Sequence, residues 1–130
     1  MPQREIEVIL TRQLASYLSL PIFIVDPAGT LIFYNEPAEA ILGHRFEETG
    51  EMPAAEWATV YTTPDGSNGA VAPEQLPLMI ALRESRPAHG RLAIRGQDNV
   101  QRQIEVTAFP LVGQAGRHLG AVAIFWEVPS

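Results

Sequence analysis

The sequence has no cysteine, no cluster of basic residues and no long hydrophobic run. Without cysteine, disulfides, zinc–thiolate sites, thiol catalysis and cysteinyl cofactor adducts are excluded. The 9 basic residues are scattered and the net charge is −6, so no nucleic-acid partner is expected. No apolar run approaches the roughly 20 residues that span a bilayer, and the N-terminus lacks a signal-peptide pattern. These absences predict a cytoplasmic protein with no membrane partner.

What is present fits one folded domain. The chain has 130 residues, of which 46% are hydrophobic and 18% are charged, so it has enough apolar surface to form a core. Neither an internal repeat nor a linker divides it.

An amphipathic helix is predicted over residues 3–18, ending before Pro21. Its apolar stripe consists of Ile6, Ile9, Leu10, Leu14, Tyr17 and Leu18. A hairpin should follow, with strands at 21–25 and 30–34 around a turn at 26–29. Asn35 is then expected to cap a short helix that ends at Gly43.

The middle of the chain is less regular. Phe46 and Trp57 are expected to anchor short helical turns, and residues 63–69 should form an exposed loop. A longer helix should run from near Pro73 to Ser85, with Pro77 in its first turn. Its apolar positions are Leu76, Met79, Ile80 and Leu82.

Three strands are predicted in the last 40 residues, at 91–95, 103–108 and 119–128, with a turn at Asp98-Asn99. The first two alternate between polar and apolar residues and should be half-exposed. The last strand, like strand 21–25, is apolar on both faces, so each of these two strands must be covered twice. The fold class is therefore α+β, an antiparallel sheet with helices on one face.

The remaining candidate for the second cover is the N-terminal helix, alone or with a partner chain. We expect it on the outer sheet face, where it takes part in a homodimer. Residues 1–18 are thus assigned to a dimerisation helix and 19–130 to the domain proper. The expected dimer interface comprises Ile6, Ile9, Leu10, Leu14, Tyr17, Ile124 and Trp126.

The motif order resembles the Per-Arnt-Sim (PAS) family. Residues 21–43 combine an apolar strand, Asp26, a Gly29 turn, a second strand ending in Asn35, and a short helix. The later helix and strands follow in the family's order, so the match covers roughly residues 18–128. The resemblance implies a five-stranded antiparallel sheet with its first and last strands in the centre. It also implies a sensory or signalling role.

In the family, ligands lie between the sheet and the helices. The resemblance places a binding site here at Phe23, Val25, Leu76, Met79, Ile80, Leu92, Ile94, Ile104, Val106, Ala108, Ala121, Ala123 and Phe125. Flavin-binding relatives use strand amides, and light-sensing ones use a helix cysteine; the matching positions here have neither, which disfavours flavin. Two interpretations remain. These residues form a solid core, or they line a cavity for an apolar ligand such as a fatty acid, in which the small side chains of Ala108, Ala121 and Ala123 leave space.

Haem would require an axial histidine facing this site. His44, His89 and His118 all lie near element ends and none lies on the longer helix, which disfavours haem. No metal site is predicted.

Catalysis is the remaining alternative. Glu47, Glu48, Glu51 and Glu56 cluster in the irregular middle, but no nucleophile or metal-ligand spacing accompanies them. Loop 63–69 lacks the basic residue of a phosphate-binding loop. We therefore expect a signalling module rather than an enzyme.

The C-terminal end leaves two interpretations. Many PAS domains end in an Asp-Ile-Thr-like motif that leads to an output helix, whereas Glu127-Val128-Pro129 stands here. Pro129 disfavours immediate helical continuation. The chain is then either part of a larger sensor or a stand-alone module whose signalling partner the sequence does not identify.

Overall fold

A computed structural model describes residues 6–42, 45–57, 61–62, 76–95 and 101–128. Helices and strands follow the order expected from the sequence, with one additional short strand. The elements are α1 (Ile6–Tyr17), β1 (Ile22–Val25), β2 (Leu31–Tyr34), α2 (Glu36–Leu42), α3 (Phe46–Thr49), α4 (Ala54–Trp57), β3 (Tyr61–Thr62), α5 (Pro77–Glu84), β4 (Ala88–Arg95), β5 (Gln101–Val112) and β6 (His118–Glu127).

The strands form one antiparallel sheet in the order β2-β1-β6-β5-β4-β3. The five predicted strands are confirmed, and β6 lies in the centre between β1 and β5. A sixth strand, β3, extends the sheet beside β4 by two residues. This strand was not predicted, because two residues are too few to show an alternating pattern.

The turn between β1 and β2 depends on Asp26. Its Oδ1 accepts hydrogen bonds from the Ala28 and Thr30 backbone N–H groups, at 3.0 Å each. Gly29 adopts φ +88°, a conformation that glycine reaches without strain. This is the turn chemistry that the sequence predicted.

The two faces of the sheet bury separate cores, as the doubly apolar strands β1 and β6 required. Phe23 and Val25 of β1 belong to the inner core beneath the helices, whereas Ile22 and Ile24 belong to an outer core beneath α1. The outer core contains Val8, Ala15, Ile22, Ile24, Ile32, Leu119 and Val122.

The short helices close the inner face. Trp57 is buried, and its indole Nε1–H donates to the Gly29 carbonyl at 2.8 Å, which fixes α4 against the first hairpin. Helix α5 begins at Pro77, with Leu76 as its N-cap, so the predicted start near Pro73 is wrong. The first residue of a helix has no intrahelical partner for its N–H group, so a proline there costs no hydrogen bond and the helix can begin at Pro77.

The contact between α1 and the sheet also differs from the prediction. The helix lies on the outer face, but it packs there through the small residues Val8 and Ala15. The larger residues of the predicted stripe point away from the sheet, and Leu10, Leu14 and Tyr17 are 56%, 60% and 79% exposed. The sequence showed a helix with two apolar sides, and only the larger one was recognised.

Several predicted features lie outside the described residues: the end of the short helix at Gly43, the loop at 63–69 and the turn at Asp98-Asn99. The division into 1–18 and 19–130 stays a prediction.

Candidate functional site

The predicted ligand-binding residues lie together on the inner face of the sheet. All of them except Ile80 belong to the buried inner core. Ile80 is half-buried and lies outside that cluster, because α5 directs Leu78, Met79, Ala81 and Leu82 inward instead. Leu78 and Ala81 were missed because three successive apolar residues, 78–80, leave the inward face of so short a helix ambiguous.

Aromatic rings pack tightly at one end of this inner core. Phe23 lies edge-on to Phe125 with ring centroids 5.1 Å apart, and its centroid is 5.8 Å from that of Tyr34. The Tyr34 hydroxyl is within 3.0 Å of Thr49 Oγ1. The sheet lining itself is apolar throughout, so it suits an apolar occupant better than a polar one, whose hydrogen-bonding groups would stay unpaired.

Small residues form a row across the centre of the sheet. Ala123 of β6 pairs with Ala108 of β5, which pairs in turn with Ala88 of β4. In the neighbouring row, a Cβ placed on Gly90 would lie 3.2 Å from Pro77 Cγ, the first residue of α5. Helix α5 contacts β4, β5 and β6. The alanines therefore provide space into which α5 can pack closely.

The outer face carries a second candidate site, the outward surface of α1. Arg12 lies over the Phe33 ring of edge strand β2, 5.0 Å from its centroid. Leu10 and Leu14 are each two residues from Arg12 and so lie about 160° around the helix axis from it. They consequently face away from β2, and both are exposed.

Apolar side chains continue from α1 along the outer sheet face. Ile124 is half-buried beside the outer core, and Phe109, which pairs with Val122, is exposed. Trp126 follows in β6, with its ring centroid 6.4 Å from that of His89. We call Leu10, Leu14, Tyr17, Phe109, Ile124 and Trp126 the outer apolar surface. The structure thus places Ile124 and Trp126 on the same side as the α1 stripe; the side chain of Ile6 is outside the described residues.

Two shallow clefts flank α1 on its other side. One of about 270 Å³ lies between Ile9, Arg12, Gln13, Ser16 and Phe33. The second, of about 230 Å³, shares Ser16 and Phe33 and extends to Glu36, Glu39 and Glu47. Both are open to solvent, and Tyr34 of the inner core lines the second.

Two of the four acidic residues considered for catalysis take part in local structure. Glu48 Oε1 accepts the Arg45 backbone N–H at 2.9 Å, and Glu47 pairs with the Arg45 guanidinium at 3.1 Å. In the ranges that the structure describes, no three acidic or histidine side chains come together as a metal site. His89 is exposed near Glu105 at 3.9 Å, His118 is exposed at the start of β6, and His44 lies outside the described residues.

Asn35 has a larger role than the predicted helix cap. It is 1% exposed, and its Oδ1 accepts the Ala38 N–H at 3.3 Å, which confirms the cap. The same oxygen accepts the Ile22 N–H at 3.0 Å, and Nδ2 donates to the carbonyls of Ala15 and Leu20 at 2.9 Å each. The last three bonds join residues far apart in sequence, so no local pattern signals them.

This architecture is similar to that of known proteins. A family model described as the PAS fold matches residues 16–129. Among solved structures, the PAS domain of a Colwellia psychrerythraea protein has 17% identity and a TM-score of 0.66, covering 93% of this chain and 96% of that one. The Rhodobacter sphaeroides LOV protein has 13% identity and a TM-score of 0.73, covering 96% and 69%.

A third structure, the PAS domain of nitrogen regulation protein NR(II) from Vibrio parahaemolyticus, has 15% identity and a TM-score of 0.65, covering 92% of this chain and 98% of that one. At such identities the likeness shows the fold alone. No curated protein matches the chain in sequence. In the described ranges, the helices fall short of the length and hydropathy that crossing a bilayer demands.

Proposed function

The chain belongs to the PAS-fold family, and on that premise we propose that it is a sensory or signalling module that works by pairing two copies through the outer apolar surface. The exposure of Leu10, Leu14 and Tyr17 on a helix already docked on the sheet is the observation that carries this function. A nitrogen regulation protein among the structural neighbours supports a signalling role.

A second copy is the occupant that fits this surface best. Its members lie on α1, β5 and β6 on the outer side of the sheet and are apolar, whereas monomeric proteins rarely expose a large contiguous apolar patch. A two-fold arrangement would place α1 against its own equivalent, so one surface serves both partners. The net charge of −6 would repel a second acidic chain, so the contact must derive its free energy from apolar burial.

The test is sedimentation velocity over a concentration series for Leu14→Glu beside a matched control, Gln13→Glu. Both variants add one carboxylate to exposed positions of α1. Leu14 belongs to the outer apolar surface, whereas Gln13 lines the cleft on the β2 side. We expect the dimer Kd of Leu14→Glu to rise about tenfold or more, because a carboxylate would be buried without a partner.

The control should assemble as the unmodified chain does. A chain that sediments as a monomer at every concentration, or equal weakening in both variants, would rule out this mode of pairing.

An apolar ligand in the inner core is a second candidate function. The observation in its favour is the apolar lining with Ala108, Ala121 and Ala123, which reduces side-chain volume in one region. A fatty acid is a fitting class of occupant, and flavin and haem remain disfavoured for lack of matched polar or axial side chains. Native mass spectrometry of the purified chain, followed by solvent extraction, would reveal such a guest; repeated recovery of ligand-free protein argues against it.

A further inference from the structure

Asn35 joins three elements through one side-chain amide. Its two hydrogen bonds to N–H groups reach the first residue of β1 and the first turn of α2. Its two bonds to carbonyls reach Ala15, in the last turn of α1, and Leu20, between α1 and β1. The amide therefore ties the C-terminal end of α1 to β1 and α2.

The orientation of this amide is determined by its partners. Carbonyl oxygens only accept hydrogen bonds and backbone N–H groups only donate them, so Nδ2 must face Ala15 and Leu20 while Oδ1 faces Ile22 and Ala38. The two halves of the side chain thus serve different purposes. The oxygen holds β1 and α2, and the nitrogen holds α1.

The packing of helix α1 on the sheet involves small buried side chains. Val8 and Ala15, its buried side chains, are small, and the larger apolar side chains point outward. The Arg12–Phe33 contact lies near the protein surface. A helix of 12 residues is marginal in water without tertiary support, so α1 belongs to the less stable part of the structure.

We propose that the Nδ2 group of Asn35 is a latch that controls whether α1 is docked on the sheet. By controlling the position of α1, the latch also controls whether the residues of the outer apolar surface keep the arrangement that a partner binds. The partner-binding half of this inference rests on the proposed function; the latch itself does not. Because the amide is planar, a shift of α2 or β1 moves Nδ2 relative to both carbonyls. A change in the inner core that displaces α2 would thereby loosen α1.

The substitution Asn35→Asp separates the two halves. Aspartate is a good N-cap and retains an oxygen for the Ile22 and Ala38 N–H groups. It removes the NH2 group: a carboxylate donates to neither carbonyl and a protonated carboxyl donates to one, so at least one of the two bonds to the α1 segment is lost. We expect hydrogen exchange of the α1 amides to become about ten- to a hundredfold faster, while the amides of α2 and β1 retain their protection.

The matched control is Tyr34→Phe, which removes the neighbouring hydroxyl contact to Thr49 and leaves the amide intact. Its α1 exchange should equal that of the unmodified chain. The latch is refuted if α1 exchange in Asn35→Asp is unchanged, or if α1, α2 and β1 all lose protection together. Should Asn35→Asp fail to fold, Asn35→Ser retains a capping oxygen and cannot span to both carbonyls, and unchanged α1 exchange in that variant refutes the latch equally.

Dimer affinity supplies the second measurement. If the proposed pairing holds, Asn35→Asp should raise the Kd about tenfold, and Tyr34→Phe should leave it unchanged. A monomeric unmodified chain with faster α1 exchange in Asn35→Asp would reject the proposed function and retain the latch. A dimer whose Kd is insensitive to Asn35→Asp, despite faster α1 exchange, would reject the coupling between latch and surface.

Discussion

Tyr34 is the residue whose ionisation the fold opposes most clearly. Burial of the side chain raises the pKa of its phenol above the ordinary value of 10.0; the hydrogen bond with Thr49 lowers it, and the negative charges of Glu39 and Glu48 add to the rise. The ring also contacts Phe23 and Phe46, so the phenolate would form among aromatic side chains.

This raised pKa predicts a loss of stability at alkaline pH. Above about pH 10 the unfolded chain releases the Tyr34 proton while the folded chain still holds it, so the free energy of unfolding should fall as pH rises. The slope should be at most about 1.4 kcal/mol per pH unit from this group. The sequence has no lysine or cysteine, so few other groups titrate in the same range.

Urea unfolding of the unmodified chain and of Tyr34→Phe, from about pH 8 to pH 11, isolates the contribution. The phenylalanine variant should show the shallower pH dependence, and parallel curves for the two proteins would contradict the prediction. The sign of the pH dependence distinguishes Tyr34 from a buried ionised carboxylate. Such a carboxylate would lose its contribution to stability as pH fell.

Two residues have structural roles that could not be predicted from the sequence. Asn35 was predicted as a helix cap, and the cap is present, but its bonds to Ala15 and Leu20 depend on how α1 returns over the sheet. Gly120 is similar: it adopts φ +133°, and a Cβ there would overlap the Val25 carbonyl oxygen. Both constraints arise from tertiary neighbours, so no local pattern contains them.

At the scale of elements, patterns longer than about four residues were predicted well, since alternation and apolar runs report directly on burial. Strands β1 and β6 were recognised as covered on both faces. The two-residue β3 and the α5 start were not, because neither has a repeating pattern at its boundary. The α1 contact was misassigned because two small residues, Val8 and Ala15, pack closely where the larger stripe was expected.

A substitution in the alanine row tests whether α5 fills the space beside these alanines. In Ala123→Leu, three added carbon atoms would have to fit between β6 and α5, which contact each other in the present structure. We expect a loss of about 1–3 kcal/mol in the free energy of unfolding, the usual cost of overpacking. The measurement is urea unfolding, compared with Val112→Leu, which adds a methylene at an exposed position on β5.

The outcome also bears on the ligand hypothesis. If Ala123→Leu is as stable as the unmodified chain, the space beside the alanines is empty and available to an apolar guest. A clear loss of stability, with Val112→Leu unaffected, indicates that α5 already occupies it.

On the scale of the whole molecule, fold and charge affect association in opposite directions. The fold exposes apolar side chains of α1 and β5 and leaves Ile124 and Trp126 of β6 half-buried, whereas the chain carries a net charge of −6. Two such chains repel each other over distances comparable to the Debye length, which falls from about 30 Å at 0.01 M salt to about 8 Å at 0.15 M.

Dimer formation should therefore strengthen with salt. Raising sodium chloride from about 0.01 M to 0.15 M screens the repulsion and leaves apolar burial nearly unchanged, so we expect the Kd to fall by about two- to fivefold. Sedimentation velocity at both salt concentrations measures this directly. An interface held by ion pairs would show the reverse dependence, with the Kd rising as salt is added. That result would remove the outer apolar surface as the main contact and direct attention to the charged residues on the exposed face of β4 and β5.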